Sequence, residues 1–591
     1  MMGLTPEEKQ VGKDNYYEAL GVSRRDFLKG VALAGVTSGA GLGAMYFGYG
    51  ASVNDPVRIG VIGTGDEGSV LIGSLNPNYV SVKAICDIRP FSVHRAFHGD
   101  WSTANTIDVR PGLMKVYGWQ SEDEARRNVT VYSTYEELLK DPNIEAVIIA
   151  LPLHLHAPVA IAAMKAGKHV LTEKLMAYDV AACKNMARSA QATNMILATG
   201  HQRHYSVLYD NAVNLIRWGL LGQIHHIRAQ WHRGNLPGRD SWKQPLPGGE
   251  VMADGKVRDE ILSGLKRLEN QMKRTDLSPA EVSMVEKQLA MWQAWNEDRN
   301  IKPEDFGYET KTLEGGRVRS AMEELCRWRL WDRTGGGLMA ELGSHQLDAA
   351  TIFISSLRQD GKKAHPLSVH AVGGRHIFPV DRDCHDHVYC TFEFPGPGYD
   401  PREDANYYGF ADPVTGYSAK EGIPSYEKDP SKRIVVTYST INGNGYGGYG
   451  EIVMGTKGTL VLEREKEVML YKDADTDTKV SVKDDKGGPT MDTSYSGDMG
   501  TMAKAADTGP VSRGYTEEIE HWAWCIRNRA PENMPRCRPE VALGDAVIAL
   551  GCNVAMRNGA AGKGGYLKFE ESWFDVDSDD TPDGSTPQKF A

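Results

Sequence analysis

The sequence predicts an α/β fold in which a parallel sheet covered by helices is followed by a second domain. Within residues 56–203, short and continuously apolar segments alternate with helical segments. Continuous rather than alternating hydrophobicity is typical of parallel strands that are buried on both faces. The chain has 591 residues, which is more than one hydrophobic core usually organises. We therefore expect residues 204–570 to form the second domain.

The composition narrows the class of partner. The chain carries 67 Lys and Arg against 78 Asp and Glu, a net charge of -11. Sequence-independent binding to nucleic acid or to anionic lipid requires a basic surface, so neither is expected. With 41% apolar and 25% charged residues, the proportions are those of a globular protein. A small molecule is the expected partner.

Residues 1–50 have the pattern of an export signal. The segment 23–29 reads SRRDFLK and precedes a weakly apolar, Gly/Ala-rich run that ends near Gly50, as in twin-arginine signals. Positions 39–40 and 50–51 are both weak cleavage candidates, so an uncleaved membrane anchor stays open as an alternative. We expect the folded protein to be exported by the Tat machinery to the periplasm or cell envelope.

Neither the cysteines nor the clustered histidines predict a metal site or a disulfide framework. The eight cysteines are scattered without a Cys-x-x-Cys pair, so we expect them to be buried as small apolar side chains. His385 and His387 lie beside Cys384 and Cys390. However, residues 386–394 are predicted to form a strand, in which neighbouring ligands alternate between faces. No metal is therefore expected.

A glycine-rich turn follows the first predicted strand. Val57–Ile62 is rich in β-formers, and Gly63, Gly65 and Gly68 then form a G-x-G-x-x-G pattern at the start of a helix. The first glycine allows a tight turn, the second lets the backbone approach a pyrophosphate, and the third permits close helix–strand packing. The helix N-terminus favours the pyrophosphate through its unpaired amides. The pattern predicts a Rossmann domain that binds NAD or NADP.

The end of the second predicted strand bears on the choice between these two cofactors. The strand Val80–Ile85 is followed by Asp87, 19 residues beyond Gly68, where a carboxylate accepts hydrogen bonds from the ribose hydroxyls of NAD. Arg89 keeps NADP open, because a guanidinium binds a 2′-phosphate. We expect NAD to be favoured.

Polar segments follow the later strands of the alternation. We expect strands at 144–151, 169–172 and 195–199, with helices at 156–166 and 179–192 between them. Ligands of such sheets bind beyond the carboxyl ends of the strands. The predicted cofactor-binding residues are therefore Gly63, Thr64, Gly65, Asp66, Glu67, Gly68, Asp87, Arg89, Leu151, Pro152, His154, His156, Glu173 and Lys174.

These motifs, in this order, resemble the glucose–fructose oxidoreductase/inositol dehydrogenase/MocA (Gfo/Idh/MocA) family. The matching elements are Gly63 to Gly68, Leu151-Pro152-x-His154-x-His156, Ala166-Gly167-Lys168-His169-Val170-Leu171-x-Glu173-Lys174, Gly222-Gln223-Ile224, and Gly335-Gly336-Gly337-x3-Glu341-x3-His345-x2-Asp348. The resemblance implies a C-terminal α/β domain with an open, mostly antiparallel sheet, and a homodimer or homotetramer. Two departures are Leu175, where the family has Pro, and Glu341, where it has Asp; the second suggests a reshaped substrate pocket.

Glu341, His345 and Asp348 are spaced so that a helix would present them together. At i, i+4 and i+7, the second and third positions lie within about 40° of the first at 3.6 residues per turn. Oxidation of an alcohol by hydride transfer requires a base for the hydroxyl proton, and a histidine with a pKa of about 6.5 suits that role. We predict His345 as the base, Lys174 as the electrostatic and relay partner, and Glu341 as a ligand of a substrate hydroxyl.

Further residues are expected around the substrate. Asp348 is expected to orient His345 or to cap structure more than to contact the substrate, and the residues after the strand at 195–199 are expected to line the sugar site. The predicted substrate-site residues are Arg203, His204, Tyr205, Trp231, His232 and Asp348.

About 95 residues at 234–327 are an insertion that the resemblance does not explain. Apolar residues from Ile261 to Met272 follow a 4-3-4 spacing, which gives one apolar helical stripe. Ser278–Glu281 then combines a capping box with Pro at the first helical position. We expect an antiparallel helical hairpin attached to the second domain, at a subunit interface or over the mouth of the active site.

Other stretches are expected to lack regular structure. Residues 395–429 and 473–512 are predicted to be long loops, and the acidic tail at 571–591 is predicted to have low order. The glycine- and tyrosine-rich run at 442–450 offers tyrosines for sugar stacking, although glycine flexibility is the simpler explanation.

Three functions fit these features. The first is an exported NAD(P)-dependent oxidoreductase acting on a sugar, polyol or glycoside hydroxyl. The second is an NAD-dependent glycoside hydrolase that oxidises C3 transiently and expels the aglycone by elimination. The third is a non-catalytic sugar-binding or assembly protein, against which the intact glycine turn, Lys174 and His345 argue.

An exported enzyme would need to retain its cofactor. At association rates of about 10⁶ M⁻¹s⁻¹, retention for hours requires a Kd near ~0.1 nM or lower. A cofactor that never leaves must be regenerated in place by a second substrate, which predicts ping-pong kinetics.

Overall fold

The computed structural model describes residues 4–21, 42–252, 254–313, 316–358, 360–379, 381–396, 399, 430–472, 481–485, 488–492 and 513–588. The twin-arginine motif at 23–29 lies outside the described residues, as do most of the two long predicted loops. The run at 442–450 is described and connects the strands Arg433–Asn442 and Tyr449–Gly455 of the second sheet.

In the described residues, two helices precede the first domain. Helix α1 spans Pro6–Ala19 and begins with a capping box and a Pro, and helix α2 spans Leu42–Phe47. Helix α1 packs against the strand Glu467–Lys472 at the edge of the second sheet, and its Tyr16 is only 1% exposed. Ala44 of α2 is 2% exposed and joins an apolar core of the first domain. Segments on both sides of the twin-arginine motif are therefore packed against the rest of the protein.

The first domain is built on a six-stranded parallel sheet. Its strands are β1 (Val57–Ile62), β2 (Val80–Cys86), β3 (Thr130–Tyr132), β4 (Ala146–Ile149), β5 (His169–Glu173) and β6 (Leu197–Gly200). Its helices are α3 (Asp66–Gly73), α4 (Pro90–His98), α5 (Ala104–Val109), α6 (Gly112–Tyr117), α7 (Glu122–Asn128), α8 (Tyr135–Leu139), α9 (His156–Lys165) and α10 (Val180–Thr193). The strand order is β3-β2-β1-β4-β5-β6, with every neighbouring pair parallel. The predicted Rossmann fold is confirmed.

The order of strands also locates the ligand crevice. The chain goes outward from β1 through β2 to β3, and then returns to pair β4 with the other side of β1. Doubly wound sheets bind ligands at this switch point, outside the carboxyl ends of the strands. The glycine turn after β1 and the Leu151-Pro152 segment after β4 both lie there.

The second domain contains an eight-stranded mixed sheet and most of the remaining helices. Its strands are β7 (Ile224–Arg233), β8 (Glu250–Val251), β9 (Val257–Arg258), β10 (Lys311–Thr312), β11 (Val318–Arg319), β12 (Ser368–Gly374), β13 (His387–Pro395), β14 (Arg433–Asn442), β15 (Tyr449–Gly455), β16 (Gly458–Glu463), β17 (Glu467–Lys472), β18 (Ser481–Asp485), β19 (Gly488–Asp492) and β20 (Tyr566–Lys568). Its helices are α11 (Val207–Arg217), α12 (Glu260–Met272), α13 (Pro279–Glu297), α14 (Ala321–Cys326), α15 (Asp332–Gly335), α16 (Ser344–Ser355), α17 (Tyr515–Arg527) and α18 (Pro539–Ala560). The main sheet has the order β17-β16-β15-β7-β14-β13-β12-β20. Strands β7 and β14 are parallel and the other described pairs of this sheet are antiparallel, which confirms the predicted sheet type.

Two C-terminal helices join the domains. Helix α17 packs on the sheet of the first domain, where Ile519 and Trp522 are fully buried in the same apolar core as β1. Helix α18 lies between α10 and β12. Among the described helices, α18 has the length and hydropathy of a membrane span, and most of its residues are buried inside the protein. Part of the predicted second domain therefore completes the first.

The predicted helical hairpin forms as α12 and α13, but its attachment differs from the expectation. The Trp295 ring stacks on Phe91 of α4, with the ring centroids 4.6 Å apart. Gln288 Nε2 donates a hydrogen bond to the carbonyl oxygen of Trp101 at 3.0 Å. The hairpin thus packs on the first domain rather than only on the second, because α4 presents an aromatic surface that the apolar side chains of α13 cover.

The acidic tail is ordered up to residue 588, contrary to the prediction of low order. Phe574 is 8% exposed and joins the main core. The ammonium of Lys184, on α10, donates hydrogen bonds to three backbone carbonyls of the tail at 2.8 to 2.9 Å. An acidic composition predicts disorder only when the segment has no partner, and here α10 supplies one.

Candidate active site

Residues of both domains line one cleft with a volume of about 780 Å³ at the switch point. The first domain contributes the glycine turn, the end of β2, and the segments that follow β4 and β5. The second domain contributes the end of β7, the segment around Glu341 and His345, and residues of the insertion between 305 and 326. The cleft therefore joins the nucleotide fingerprint to the predicted catalytic groups.

The glycine turn has the geometry that a dinucleotide requires. Gly63 has a φ of +86°, and a Cβ there would lie 2.3 Å from the carbonyl oxygen of Ala150. A Cβ at Gly68 would lie 2.2 Å from the Gly63 carbonyl oxygen, so this glycine allows α3 to pack closely. A Cβ at Gly65 would meet nothing within 4 Å. The backbone at Gly65 is open to the cleft and fits a bound pyrophosphate.

The Asp87 carboxylate is held in place at the cleft. Its Oδ2 accepts hydrogen bonds from the amide and the hydroxyl of Thr64, at 2.7 and 3.2 Å. Its Oδ1 accepts from the amide of Arg89 at 2.9 Å. A carboxylate has about four acceptor positions, so Asp87 keeps capacity for ribose hydroxyls.

The structure places most of the predicted cofactor-binding residues on the cleft. Those that line it are Gly63, Gly65, Asp66, Glu67, Asp87, Arg89, Leu151, Pro152, His156, Glu173 and Lys174. Thr64, Gly68 and His154 lie behind this surface. The two ring nitrogens of His156 lie 2.8 Å from the carbonyl oxygens of Leu175 and Leu151. His156 therefore links the segments that follow β4 and β5, in addition to lining the cleft.

Lys174 and Glu341 lie together in the cleft. The Lys174 ammonium donates a hydrogen bond to the Glu341 carbonyl oxygen at 2.8 Å. The Glu341 carboxylate accepts from Arg329 Nε at 2.7 Å. Burial alone would raise the pKa of Glu341, but Arg329 and Lys174 lower it to about 2. Glu341 is therefore ionised, and Arg329 shares it with any substrate hydroxyl.

Glu173 differs electrostatically from Glu341. Its carboxylate is buried beside Glu67, and burial followed by the charge of Glu67 raises the pKa of Glu173 to about 8. Its Oε2 accepts a hydrogen bond from the Lys174 amide, at 3.2 Å. Glu173 therefore takes up a proton more readily than Glu341 does.

His345 is buried in the same cleft and is neutral. Burial lowers the pKa of His345 well below its usual value, and the positive charges of Lys174 and Arg203 lower it further. Its Nδ1 has no hydrogen-bond partner within the described part of the chain. Its ring centroid lies 5.4 Å from that of Trp231. A neutral imidazole with a free nitrogen can accept a proton from a hydroxyl.

Asp348 does not line the cleft with Glu341 and His345. Residues Met339–Gly343 form a π-helical turn that leads into α16, so Glu341 and His345 are not related by regular α-helical spacing, whereas His345 and Asp348 both lie in α16. Asp348 Oδ1 lies 3.0 Å from His204 Nε2 and 3.3 Å from Lys363 Nζ. The predicted substrate-site residues Asp348 and His204 thus bind each other in a buried cluster behind the cleft.

Arg203 is also placed behind the cleft. It is 1% exposed, and it donates hydrogen bonds to Glu465 at 2.9 Å, to Glu451 at 3.1 Å and to the carbonyl oxygen of His345. Arg203 therefore supports the backbone of the predicted base. Tyr205 lies outside the cleft lining as well, since its hydroxyl accepts a hydrogen bond from the Arg536 amide at 2.7 Å.

The aromatic wall of the cleft comes from neighbouring strands. Trp231 lines the cleft, as predicted for the substrate site, and stacks on Tyr449 with the ring centroids 4.4 Å apart. His232, the next residue on β7, is not part of the lining. Tyr449 belongs to the glycine- and tyrosine-rich run, which the sequence prediction assigned mainly to flexibility.

Several cleft residues were not predicted from the sequence. These are Arg233, Gln244, Trp328, Arg329, Tyr449, Arg513 and Tyr515. They come from separate elements and no motif links them. The available signals were that Arg233 directly follows the predicted Trp231-His232 pair and that Tyr449 belongs to the glycine- and tyrosine-rich run.

A family model matches the first domain. Residues 57–201 match GFO_IDH_MocA, described as an oxidoreductase family with an NAD-binding Rossmann fold. The first domain is therefore similar to the NAD-binding domain of the Gfo/Idh/MocA oxidoreductases. The boundaries of the match coincide with the parallel sheet from β1 to β6.

Individual relatives match parts of the chain. A glycosyl hydrolase family 109 protein of Solibacter usitatus is 28% identical over 220 residues, which are 36% of this chain and 46% of that protein. An inositol 2-dehydrogenase/D-chiro-inositol 3-dehydrogenase of Lactiplantibacillus plantarum is 27% identical over 169 residues, 28% of this chain and 41% of that protein. The chain thus spans less than half of the length of these relatives.

Solved structures give weaker similarity over a longer range. An aldose–aldose oxidoreductase from Caulobacter crescentus has a TM-score of 0.46 and 14% identity, covering 87% of this chain and all of that chain. A levoglucosan dehydrogenase in complex with NADH and L-sorbose has a TM-score of 0.45 and 16% identity, covering 87% of this chain and 99% of that chain.

Proposed function

We propose that the protein is an exported NAD-dependent oxidoreductase that oxidises a CH–OH group of a sugar, polyol or glycoside. The observation that carries this proposal is one cleft whose lining includes the glycine turn, Asp87, Lys174 and His345. The family match of the first domain and the sugar and inositol dehydrogenases among the relatives agree with it.

The residues of the cleft have separate tasks in this reaction. A bound nicotinamide would accept a hydride from the carbon that carries the hydroxyl. The neutral His345 accepts the hydroxyl proton, and the Lys174 ammonium orients the hydroxyl and stabilises developing alkoxide charge. Glu341, held by Arg329 at 2.7 Å, binds a neighbouring hydroxyl. Trp231 and Tyr449 offer flat apolar surfaces for the C–H face of a sugar ring.

Export and retention of the cofactor belong to the same proposal. The SRRDFLK motif at 23–29 supports the twin-arginine route to the periplasm or cell envelope, and an exported enzyme must keep its nicotinamide cofactor bound. We propose a homodimer or homotetramer formed through the open sheet. The exposure of Val372, Tyr389 and Tyr566 on β12, β13 and β20, at 46 to 62%, supports this surface.

A second candidate is an NAD-dependent glycoside hydrolase. Three of the relatives, from Solibacter usitatus, Shewanella pealeana and Shewanella baltica, carry the name glycosyl hydrolase family 109 protein. In this reaction, transient oxidation at C3 would acidify the C2 hydrogen, and elimination would expel the aglycone without net redox change. His345 and Glu341 would then be the candidates for the C2 base.

One experiment separates these functions. The purified full chain is incubated with aryl glycosides and with free sugars while the absorbance of bound nicotinamide is recorded. Reversible formation of bound NADH with a free sugar supports the oxidoreductase, and release of phenol without net NADH supports the hydrolase. Absence of any nucleotide after denaturation would refute both and favour a non-catalytic binding protein.

A further inference from the structure

The insertion at 234–327 forms part of the adenosine end of the cleft. Asp305, Phe306, Tyr308, Leu325 and Cys326 line the same cleft as the residues that end β2. None of these five residues belongs to the Rossmann domain. The insertion, as well as the end of β2, therefore defines the environment of the adenosine ribose.

The insertion also contacts the loop that follows β2 and holds it in position. Ile88, the residue after Asp87, packs in a small apolar cluster with Tyr308 and Leu325 of the insertion. On the other side of Ile88, the guanidinium of Arg89 donates through Nε to Asp298 Oδ2 at 2.8 Å. The position of Arg89 is therefore set by the insertion.

Asp298 is built into the interface. It directly follows α13, it is fully buried, and its Oδ1 accepts a hydrogen bond from the Phe91 amide at 3.0 Å. The Phe91 ring stacks on Trp295, one turn earlier on the insertion. These two contacts hold the carboxylate of Asp298 beside the guanidinium of Arg89.

Arg89 is the residue through which the sequence kept NADP open. A 2′-phosphate carries negative charge and gains most from a guanidinium whose donors are free. Here the guanidinium donates through Nε to Asp298, and its buried Nη2 has no hydrogen-bond partner among the described residues. The charge of Asp298 nevertheless offsets that of Arg89, and Asp87 adds a second carboxylate beside the ribose site. Two carboxylates beside one guanidinium leave the site with a net negative charge, which disfavours another anion.

We propose that Asp298 of the insertion is a specificity-determining residue. Its carboxylate neutralises the positive charge of Arg89, and the cleft therefore selects NAD over NADP. This inference rests on the proposed function, because it requires that the cleft binds a nicotinamide dinucleotide. It assigns to the insertion a role in cofactor selection as well as in covering the first domain.

The test uses the full chain after its nucleotide has been removed, with ADP-ribose and 2′-phospho-ADP-ribose as probes. Calorimetric titration gives the ratio of the two affinities without any turnover. We expect the wild type to bind ADP-ribose more tightly. Asp298→Asn should bind 2′-phospho-ADP-ribose at least about tenfold more tightly than the wild type does, because the freed guanidinium gains a charged hydrogen bond. The affinity for ADP-ribose should change little.

Two further variants make the result specific. Asp298→Asn combined with Arg89→Met should lose the gain, because the gain comes from Arg89. Asp259→Asn removes a different insertion carboxylate, which pairs with Arg299 at 2.9 Å away from the cleft, and should keep the wild-type ratio. Asp298→Ser retains an acceptor for the Phe91 amide and replaces Asp298→Asn if circular dichroism shows that the latter is unfolded.

The outcomes distinguish the inference from the proposed function. A wild type that prefers 2′-phospho-ADP-ribose, or a folded Asp298 variant with an unchanged ratio, would overturn the role of Asp298 while leaving a dinucleotide site in place. A wild type that binds neither probe would overturn the proposed function itself.

Discussion

Replacing Arg203 by Met tests whether the buried charge network behind His345 stabilises the fold and the base. Arg203 is 1% exposed, and its guanidinium joins two buried carboxylates, Glu451 and Glu465, to the backbone carbonyl of His345. Met has a similar length and no charge. The substitution therefore leaves the packing volume nearly unchanged and removes all three hydrogen bonds.

The magnitude follows from the burial of both partners. Removing one member of a fully buried ion pair typically costs about 3–5 kcal/mol, because the remaining charge is left unpaired. Protonation of Glu451 would remove its unpaired charge and so reduce this loss of stability. Burial raises the pKa of Glu451 to about 7 even with Arg203 present. The loss of stability in Arg203→Met should therefore be largest above pH 7 and smaller near pH 6, where Glu451 is protonated in both proteins.

The assay is urea denaturation at pH 6 and pH 8, together with kcat for the substrate that the activity screen identifies. Arg433→Met is the matched control, because Arg433 pairs with Glu393 at 2.8 Å but the two side chains are 37% and 30% exposed. Surface pairs of this kind contribute below about 1 kcal/mol. If Arg203→Met costs no more than Arg433→Met at pH 8, the reasoning from burial is wrong.

Four further predictions concern other parts of the molecule. His345→Ala should lower kcat by about 10²–10⁴-fold in steady-state assays, the usual contribution of a general base, and a variant with wild-type turnover would exclude that role. Lys184→Met should destabilise the docked tail by about 2–4 kcal/mol, since three carbonyls lose a charged donor; limited proteolysis of the tail detects this, with the exposed Lys115→Met as control. Deletion of residues 1–21 should lower the Tm, because α1 covers the edge strand β17; an unchanged Tm would show that this packing contributes nothing. Glu451→Gln should flatten the pH dependence of stability between about pH 4.5 and pH 7. In the wild type a raised pKa means that the folded state binds a proton that the unfolded state releases, so stability falls as the pH rises through this range, and an equal slope in denaturation curves of both proteins would contradict the assignment.

The nucleotide half of the site was predictable because its chemistry is local. Gly63, Gly65 and Gly68 must be close in sequence to form one turn, and the strand–turn–helix context around them is visible as hydrophobic patterning. The structure places Gly65 open to the cleft and Asp87 beside it, as that pattern requires. Lys174 and His345 were predictable through the family resemblance, and both line the cleft.

The residues that surround these groups were decided by long-range packing. Arg203 and His204 directly follow the segment after β6, yet their side chains turn toward Glu451 and Asp348, more than 140 positions away in the chain. Buried charges go where partners exist, and sequence spacing does not show those partners. Asp348 likewise turns toward His204 and Lys363 and does not line the cleft with Glu341 and His345, with which helical spacing grouped it.

By itself, the sequence determined the parallel nucleotide-binding sheet, the glycine turn and the presence of a helical insertion, since each depends on patterns within a few tens of residues. Only the tertiary structure decided that the insertion packs on the first domain, that Asp298 reaches Arg89, and that the acidic tail docks on α10. These contacts join residues that are 200 to 400 positions apart, and they depend on the shape and charge of surfaces that exist only after the domains have folded.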